Sequence, residues 1–150
     1  MLLRMQRTTD IAPHAPPAGL RIVPYEAARH YDSIPALYAA AFGDPPWPAD
    51  WDHFDEFDPR GVFLGYDPAA PGPVGFAISF QRQDFGYISV VAVLPAYRRR
   101  GLATALIGTA VQYLGSLALK TVHIDVLETN RPAVLAYEKL GFQVYAVLQE

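Results

Sequence analysis

The chain has 150 residues, of which 51% are hydrophobic and 18% charged, a size and composition that fit one globular domain with its own core. A formal net charge of −3 disfavours a nucleic-acid-binding protein, which usually carries a basic surface. The sequence has no cysteine, which excludes disulfides, cysteine-ligated zinc and a thiol nucleophile, and no apolar run approaches the ~20 residues of a membrane-spanning helix.

Residues 1–19 are predicted to form a disordered N-terminal tail, followed by one domain over residues 20–150. Proline and glycine residues between positions 13 and 19 remove backbone donors and discourage regular structure. Charged and polar residues among the first seven interrupt the apolar core that a signal peptide needs, so we expect a cytoplasmic protein without a membrane partner.

From residue 20 onward, strand and helix patterns alternate. Asp32 is a plausible N-cap, and the apolar residues that follow it recur at helical spacing. The predicted strands are 20–24, 61–66, 74–83, 87–94, 121–127 and 142–148, and the predicted helices are 32–42, 50–57, 101–117 and 132–140. This order predicts a three-layer α/β sandwich.

The strand over residues 87–94 leads into a basic turn, Arg98-Arg99-Arg100-Gly101, that opens a helix. The first amides of a helix have no internal acceptor and carry the positive end of the helix dipole. Small residues at Gly101 and Ala103 let an anion approach the backbone closely, and the arginines add positive potential. The turn predicts an anion site suited to a diphosphate, although a solvated arginine run beside a helix start fits this motif equally well.

Two segments together resemble the GCN5-related N-acetyltransferase (GNAT) family. Residues 98–103 match its acyl-CoA-binding motif Q/R-x-x-G-x-G/A, and residues 130–142 match its second signature, N-x-x-A-x-x-x-Y-x-K-x-G-F. Two ordered motifs at a family-like separation are far more specific than either one. The resemblance covers residues 20–148 and is strongest over residues 87–142.

The resemblance implies an α/β/α sandwich whose mixed, mostly antiparallel sheet splays into a V after the strand over residues 87–94. It implies direct transfer of an acetyl group from acetyl-CoA to a primary amine of a small molecule or peptide, with no metal. One backbone N–H in the splayed strand would polarise the thioester carbonyl. The implied acetyl-CoA contacts are Val91, Val93, Arg98, Arg99, Arg100, Gly101, Ala103, Thr104 and Asn130, the last of which would contact the pantetheine arm or fix the loop around it.

The same resemblance suggests the two groups that move protons. Tyr137 matches the family's general acid, which protonates the departing thiolate; its alternative role is a core aromatic. Asp125-Val126-x-x-x-Asn130 resembles the E-V-x-x-x-N of the ribosomal-protein N-terminal acetyltransferases, in which the glutamate is the base. Because aspartate is one methylene shorter than glutamate, Asp125 as a base would reach the amine through a bridging water. The alternative role of Asp125 is to satisfy backbone groups in the strand.

Residues 44–58 hold six acidic residues and no lysine or arginine, interleaved with aromatic residues. Trp47, Trp51 and Asp55 are therefore candidates for binding a cationic amine. The alternative is an amphipathic helix with its aromatic residues in the core and its acids in water. Histidines 14, 30 and 53 have no metal-ligand spacing, so we expect no metal site.

One departure from the family concerns the end of the sheet. GNAT domains usually have two strands after the Gly-Phe pair, whereas only one is predicted here. Either the final strand is missing or a partner subunit covers the exposed edge, which makes a homodimer an expectation.

The rival function is a non-catalytic acyl-CoA-binding module of the same fold.

Overall fold

The computed structural model describes residues 1–12, 15–43 and 47–149. Its strands are β1 (Leu2–Thr8), β2 (Arg21–Pro24), β3 (Val62–Tyr66), β4 (Pro73–Arg82), β5 (Phe85–Val93), β6 (Thr121–Leu127) and β7 (Gln143–Gln149). Its helices are α1 (Ala27–His30), α2 (Ser33–Phe42), α3 (Leu102–Ser116) and α4 (Arg131–Lys139), with 3₁₀ turns at Pro59–Gly61 and Pro95–Tyr97.

The strands form one sheet in the order β2-β3-β4-β5-β6-β1-β7. The pair β5–β6 is parallel and the other neighbouring pairs are antiparallel. The prediction of a mixed, mostly antiparallel sheet is therefore confirmed.

Helices cover the sheet from both sides. On one face, Ile34 and Leu37 of α2 pack into a buried cluster with Phe76 of β4 and Ala92 of β5. On the other face, α3 contacts the middle strands, and Val134 of α4 lies in a cluster with residues of β1, β5 and β6. The molecule has the three layers that the sequence predicted.

The sheet splays at the parallel pair. β5 and β6 share three paired positions, which end at Ile88 opposite Ile124. The next residue, Ser89, is the extra residue of a β-bulge, because Ile78 of β4 lies opposite Val90 while Ser79 lies opposite Ile88. Beyond the bulge β5 stays paired with β4 but leaves β6, so a V-shaped gap opens between β5 and β6, as expected.

The N-terminal residues correct one prediction. Residues 1–19 are not wholly a disordered tail, because β1 lies inside the sheet between β6 and β7. Leu3 and Met5 point into the core, and Met5 has no exposed surface. They alternate with Arg4 and Gln6, and this period of two is typical of a strand with one buried face.

The sheet is also not one strand short. A single strand, β7, follows Gly141-Phe142, and β1 fills the position beside it. The argument for a partner subunit that replaces a missing strand therefore fails. β7 still forms an edge of the sheet, with apolar side chains such as Val144 and Tyr145 more than half exposed. A homodimer through this edge stays a prediction.

Two further differences concern short segments. The structure contains α1, which the sequence analysis did not predict, and residues 50–57 form turns instead of the predicted helix. In these turns Trp51 is buried against Tyr25 and Phe57. These tertiary contacts, and not a helical repeat, fix the position of the segment. Within the described ranges, no helix combines the length and the apolar character needed to cross a bilayer.

Candidate active site

The free edge of β5 is the first feature of the gap. The backbone N–H of Leu94 donates to the carbonyl of Val74 on β4 at 2.9 Å. Since the N–H and C=O groups of successive strand residues point to opposite sides, the backbone groups of Val91 and Val93 face the gap. Arg98 Nε donates to the Val93 carbonyl at 3.3 Å, which agrees with this orientation. A ligand in the gap would therefore meet the amide of Val91.

The start of α3 lies beyond the C-terminal end of β5. Gly101, with φ of +86°, is the N-cap, a left-handed conformation that favours glycine, and no side chain caps the helix. The first helical bond runs from the N–H of Ala105 to the carbonyl of Gly101 at 3.1 Å. The amides of residues 102–104, which include the predicted contacts Ala103 and Thr104, therefore have no acceptor within the helix. This arrangement can bind an anion.

The three arginines before Gly101 have different surroundings. Arg98 links the end of β5 to α2, since its Nη2 donates to the Ala41 carbonyl at 2.6 Å. The guanidinium of Arg100 lies 4.8 Å from the ring centre of Tyr97. Arg99 and Arg100 are both exposed, so they add positive charge near the helix start while Arg98 fixes the turn.

Tyr137 lies on α4, on the same side of the sheet as α3. Its ring is partly buried against the cluster that also receives Val91, and burial raises the pKa of its hydroxyl. The side chain of Asn130 caps α4 by accepting from the N–H of Ala133 at 3.4 Å. Asn130 thus orients the helix that carries Tyr137, a role compatible with fixing the adjacent loop.

Asp125 sits where β5 and β6 begin to separate, and both of its oxygens are occupied. Arg4 donates from Nε to Oδ1 at 2.9 Å and from Nη2 to Oδ2 at 3.1 Å, and the Tyr87 hydroxyl donates to Oδ2 at 2.7 Å. Burial alone would raise the pKa of Asp125, but these bonds outweigh it and the pKa is lowered. The arrangement argues for a structural role, in which Asp125 bonds to side chains and not to the backbone groups that the sequence suggested.

The hydroxyl of Tyr87 is one of the donors to the Asp125 carboxylate. Burial, followed by the hydrogen bond to Asp125, raises the pKa of Tyr87 to about 12. The Arg4 guanidinium also lies 5.7 Å from the Tyr87 ring centre. The three side chains hold β1, β5 and β6 together at the base of the gap.

A pocket opens on the opposite face from α3 and reaches the bulge. Its volume is about 410 Å³, and its lining includes Trp47, Asp50, Trp51, His53, Phe54, Ser89 and Val90. Both predicted tryptophans line it, and their indole Nε1 atoms are buried without an acceptor in the described structure. Asp55 is exposed and does not line this pocket. Aromatic walls with one carboxylate suit a cationic amine.

Sequence reasoning missed several residues of this region. Arg4 was assigned to the predicted tail, and only its alternation with Leu3 and Met5 could have indicated a strand. Asp50 and His53 were part of the acidic, aromatic segment, but the turns that direct them to the pocket have no periodic signal. Among the described residues, no group of three or more histidine, aspartate or glutamate side chains could hold a metal ion.

Comparisons with known proteins agree with this geometry. A model of the acetyltransferase (GNAT) family matches residues 28–142. The mycothiol acetyltransferase of Mycobacteroides abscessus is 36% identical over 143 residues, covering 84% of this chain and 48% of that protein. A mycothiol acetyltransferase of Thermobispora bispora is 34% identical and covers 97% of this chain and 55% of that protein. The chain spans about half the length of the curated relatives it matches.

A solved structure shows the same fold. The GCN5-related N-acetyltransferase from Sphaerobacter thermophilus superposes with a TM-score of 0.80 at 23% identity, covering 96% of this chain and 48% of that one. The family model extends from α1 to the start of β7 and so includes the splayed strand, the start of α3 and Tyr137. On these grounds the chain belongs to the GNAT family of acetyltransferases.

Proposed function

We propose that this chain is an acetyl-CoA-dependent N-acetyltransferase that transfers an acetyl group directly to a primary amine. The observation that carries the proposal is the unpaired edge of β5 beyond the bulge. This edge leads towards the uncapped start of α3 at one end and borders the aromatic pocket at the other. A diphosphate, a thioester and an amine can thus be bound in sequence along one path.

The donor is proposed to lie along β5. The amides of residues 102–104 would bind the diphosphate, with the positive charge of Arg99 and Arg100 beside them. The backbone groups of Val91 and Val93 would pair with the amides of the pantetheine arm as a neighbouring strand would. Val91 N–H is then placed to donate to the thioester carbonyl oxygen, where negative charge develops during attack.

Tyr137 is proposed to protonate the departing thiolate. Its ring packs on the same cluster as Val91, and the raised pKa keeps the hydroxyl protonated at neutral pH. The chain contains no cysteine, so an acetyl-cysteine intermediate cannot form on it. Transfer through a thiol of this chain is therefore excluded, and direct attack of the amine on the thioester is the proposed route.

The acceptor is proposed to be a small-molecule amine in the pocket of Trp47 and Trp51. Asp50 supplies a negative charge at the wall, and the indole N–H groups can donate to an oxygen of the substrate. The similarity to proteins named mycothiol acetyltransferase supports a small molecule over a peptide. Asp55 would act only through its charge near the pocket. A cytoplasmic location also stays a prediction.

The test separates an enzyme from a binding module. Acetyl-CoA binding is measured by calorimetry, and release of free CoA is followed over a panel of small-molecule and peptide amines. We expect acetyl-CoA binding together with amine-dependent CoA release, strongest for a small molecule. Binding of acetyl-CoA without turnover on any amine would instead favour the non-catalytic acyl-CoA-binding module. Absence of acetyl-CoA binding would contradict both functions.

A further inference from the structure

The amine needs a proton acceptor at the gap. An amine is mostly protonated near neutral pH and attacks a carbonyl only as the free base. Asp125 is a poor acceptor, because Arg4 and the Tyr87 hydroxyl occupy both of its oxygens. The same bonds lower its pKa in spite of burial. Another group must therefore take the proton.

His53 lies on the wall of the acceptor pocket, together with Ser89 and Val90 of the bulge. Its side chain is 72% exposed, so one side of the ring is accessible to a bound amine. Its backbone N–H donates to the carbonyl of Asp50 at 2.9 Å, which fixes the turn that carries it. Imidazole is also the side chain best suited to exchange a proton near neutral pH.

Asp52 gives His53 a partner. The Nε2 atom of His53 lies 3.5 Å from Oδ1 of Asp52, and the Asp52 side chain is only 20% exposed. This oxygen is buried and accepts no hydrogen bond within the described residues. This oxygen can therefore accept a hydrogen bond from Nε2–H of His53, which would fix the tautomer that leaves Nδ1 free to accept a proton.

We propose, building on the acetyltransferase function, that His53 is the general base of the reaction and Asp52 its positioning residue. Nδ1 of His53 first takes one proton from the ammonium group and passes it to solvent. The free amine nitrogen then forms a bond to the acetyl carbon, and Nδ1 removes a second proton from that nitrogen. The carbon–sulfur bond then breaks, and Tyr137 donates its proton to the sulfur. The imidazolium returns its proton through solvent to the tyrosinate, so the products are the amide and CoA thiol.

Asp50 is the competing carboxylate in the same pocket. It has no cationic partner among the hydrogen bonds and ion pairs of the described residues, so its charge is available to a bound ammonium group. We assign it to binding. Its substitution should raise KM with little change in kcat, whereas loss of a base lowers kcat.

The experiment compares His53→Ala with wild type on the best amine of the panel. We expect kcat to fall about 100-fold while acetyl-CoA affinity is unchanged, and added imidazole to restore part of the rate in a saturable way. Asp52→Asn should lower kcat less, without imidazole rescue. The matched control is Asp84→Ala, an exposed acid in the turn between β4 and β5 and outside the pocket lining, which should retain wild-type kinetics.

The outcomes separate the two proposals. If wild type binds acetyl-CoA but releases CoA with no amine, the acetyltransferase function fails and the role of His53 with it. If wild type turns over and His53→Ala stays within threefold of it, only the assignment of His53 is wrong. Loss of activity that imidazole does not restore also overturns that assignment, because it indicates a structural role for His53.

Discussion

At the scale of single residues, Tyr137 is the group whose chemistry depends most directly on its surroundings. Its ring packs against the cluster that also receives Val91 of the splayed strand. Burial raises its pKa, so the hydroxyl remains protonated over the range in which an acetyltransferase is assayed and can act as an acid. A core aromatic would contribute only packing.

The substitution Tyr137→Phe separates these two roles, because it removes the hydroxyl and leaves the ring. We expect kcat to fall about 100-fold with acetyl-CoA affinity unchanged in calorimetry. Tyr145→Phe is the matched control, since Tyr145 is 59% exposed on β7. If Tyr137→Phe keeps the wild-type kcat at every pH tested, the hydroxyl does not protonate the thiolate.

The residues of the site differ in how far the sequence predicts them. Tyr137 and Gly101 stand in motifs with fixed spacing, and the structure places each on the element that was expected. Asp125 was singled out as well, but its partner Arg4 is 121 positions away. A base candidate cannot be judged without that partner, because the partner decides whether the carboxylate can take a proton. Such a long-range pair has no local signal.

At the scale of elements, the turn between β5 and α3 combines a left-handed backbone conformation at Gly101 with an anion site. Gly101 adopts φ of +86°, and a Cβ added there would lie 3.2 Å from Cγ of Pro17. A non-glycine residue in this conformation costs roughly 1–2 kcal/mol. Relief of the strain would rotate the amides of the first helical turn.

Gly101→Ala should therefore weaken both folding and acetyl-CoA binding. We expect the free energy of unfolding to fall by about 1–2 kcal/mol and the acetyl-CoA Kd to rise about tenfold, equivalent to ~1.4 kcal/mol. Denaturant unfolding and calorimetry measure the two effects. Gly72→Ala is the control, since a Cβ there meets nothing within 4 Å. An unchanged Kd in a folded Gly101→Ala variant would show that these amides do not hold the diphosphate.

Elements with strong periodicity were predicted well, and those defined by distant contacts were not. The predicted strand over residues 121–127 coincides with β6, and the bounds of α3 and α4 were each predicted to within one residue. β1 was not predicted, because its alternating segment is short and prolines 13, 16 and 17 follow it closely. Residues 50–57 form turns instead of the predicted helix, in which buried Trp51 packs edge to face on half-buried Phe57, a contact with no periodic signal in the sequence.

At the scale of the whole molecule, the layer order followed from the alternation of elements, whereas the position of β1 between β6 and β7 did not. A strand pairs with whichever edge its buried face fits, and sequence distance places no limit on that choice. Arg4 and Met5 show the consequence. The same strand contributes a core residue on one face and the partner of Asp125 on the other.

The dependence of stability on pH is a property of the whole fold. His30 is 2% exposed, and burial lowers its pKa, with Glu26 and Arg29 as its charged neighbours. Its Nδ1 accepts from the N–H of Glu26 at 3.0 Å, so Nε2 carries the proton and donates to the Tyr66 hydroxyl at 2.9 Å. Protonation of Nδ1 would break the first of these bonds. The pKa of His123 is lowered for the same main reason.

Both histidines should destabilise the fold as the solution becomes acidic. Their unfolded pKa is about 6.5 and their folded pKa is lower, so the unfolded chain binds more protons between the two values. Stability must therefore fall as pH decreases below about 6.5. The lowered pKa of Asp125 adds a second loss only below its ordinary value of 3.8.

The measurement is the Tm of wild type from pH 8 to pH 5. We expect Tm to decline through the lower half of this range. His30→Gln should start from a lower Tm and decline less, since one of the two buried imidazoles is gone. A wild-type Tm that is flat or rises towards pH 5 would mean that neither buried histidine is held neutral by the fold.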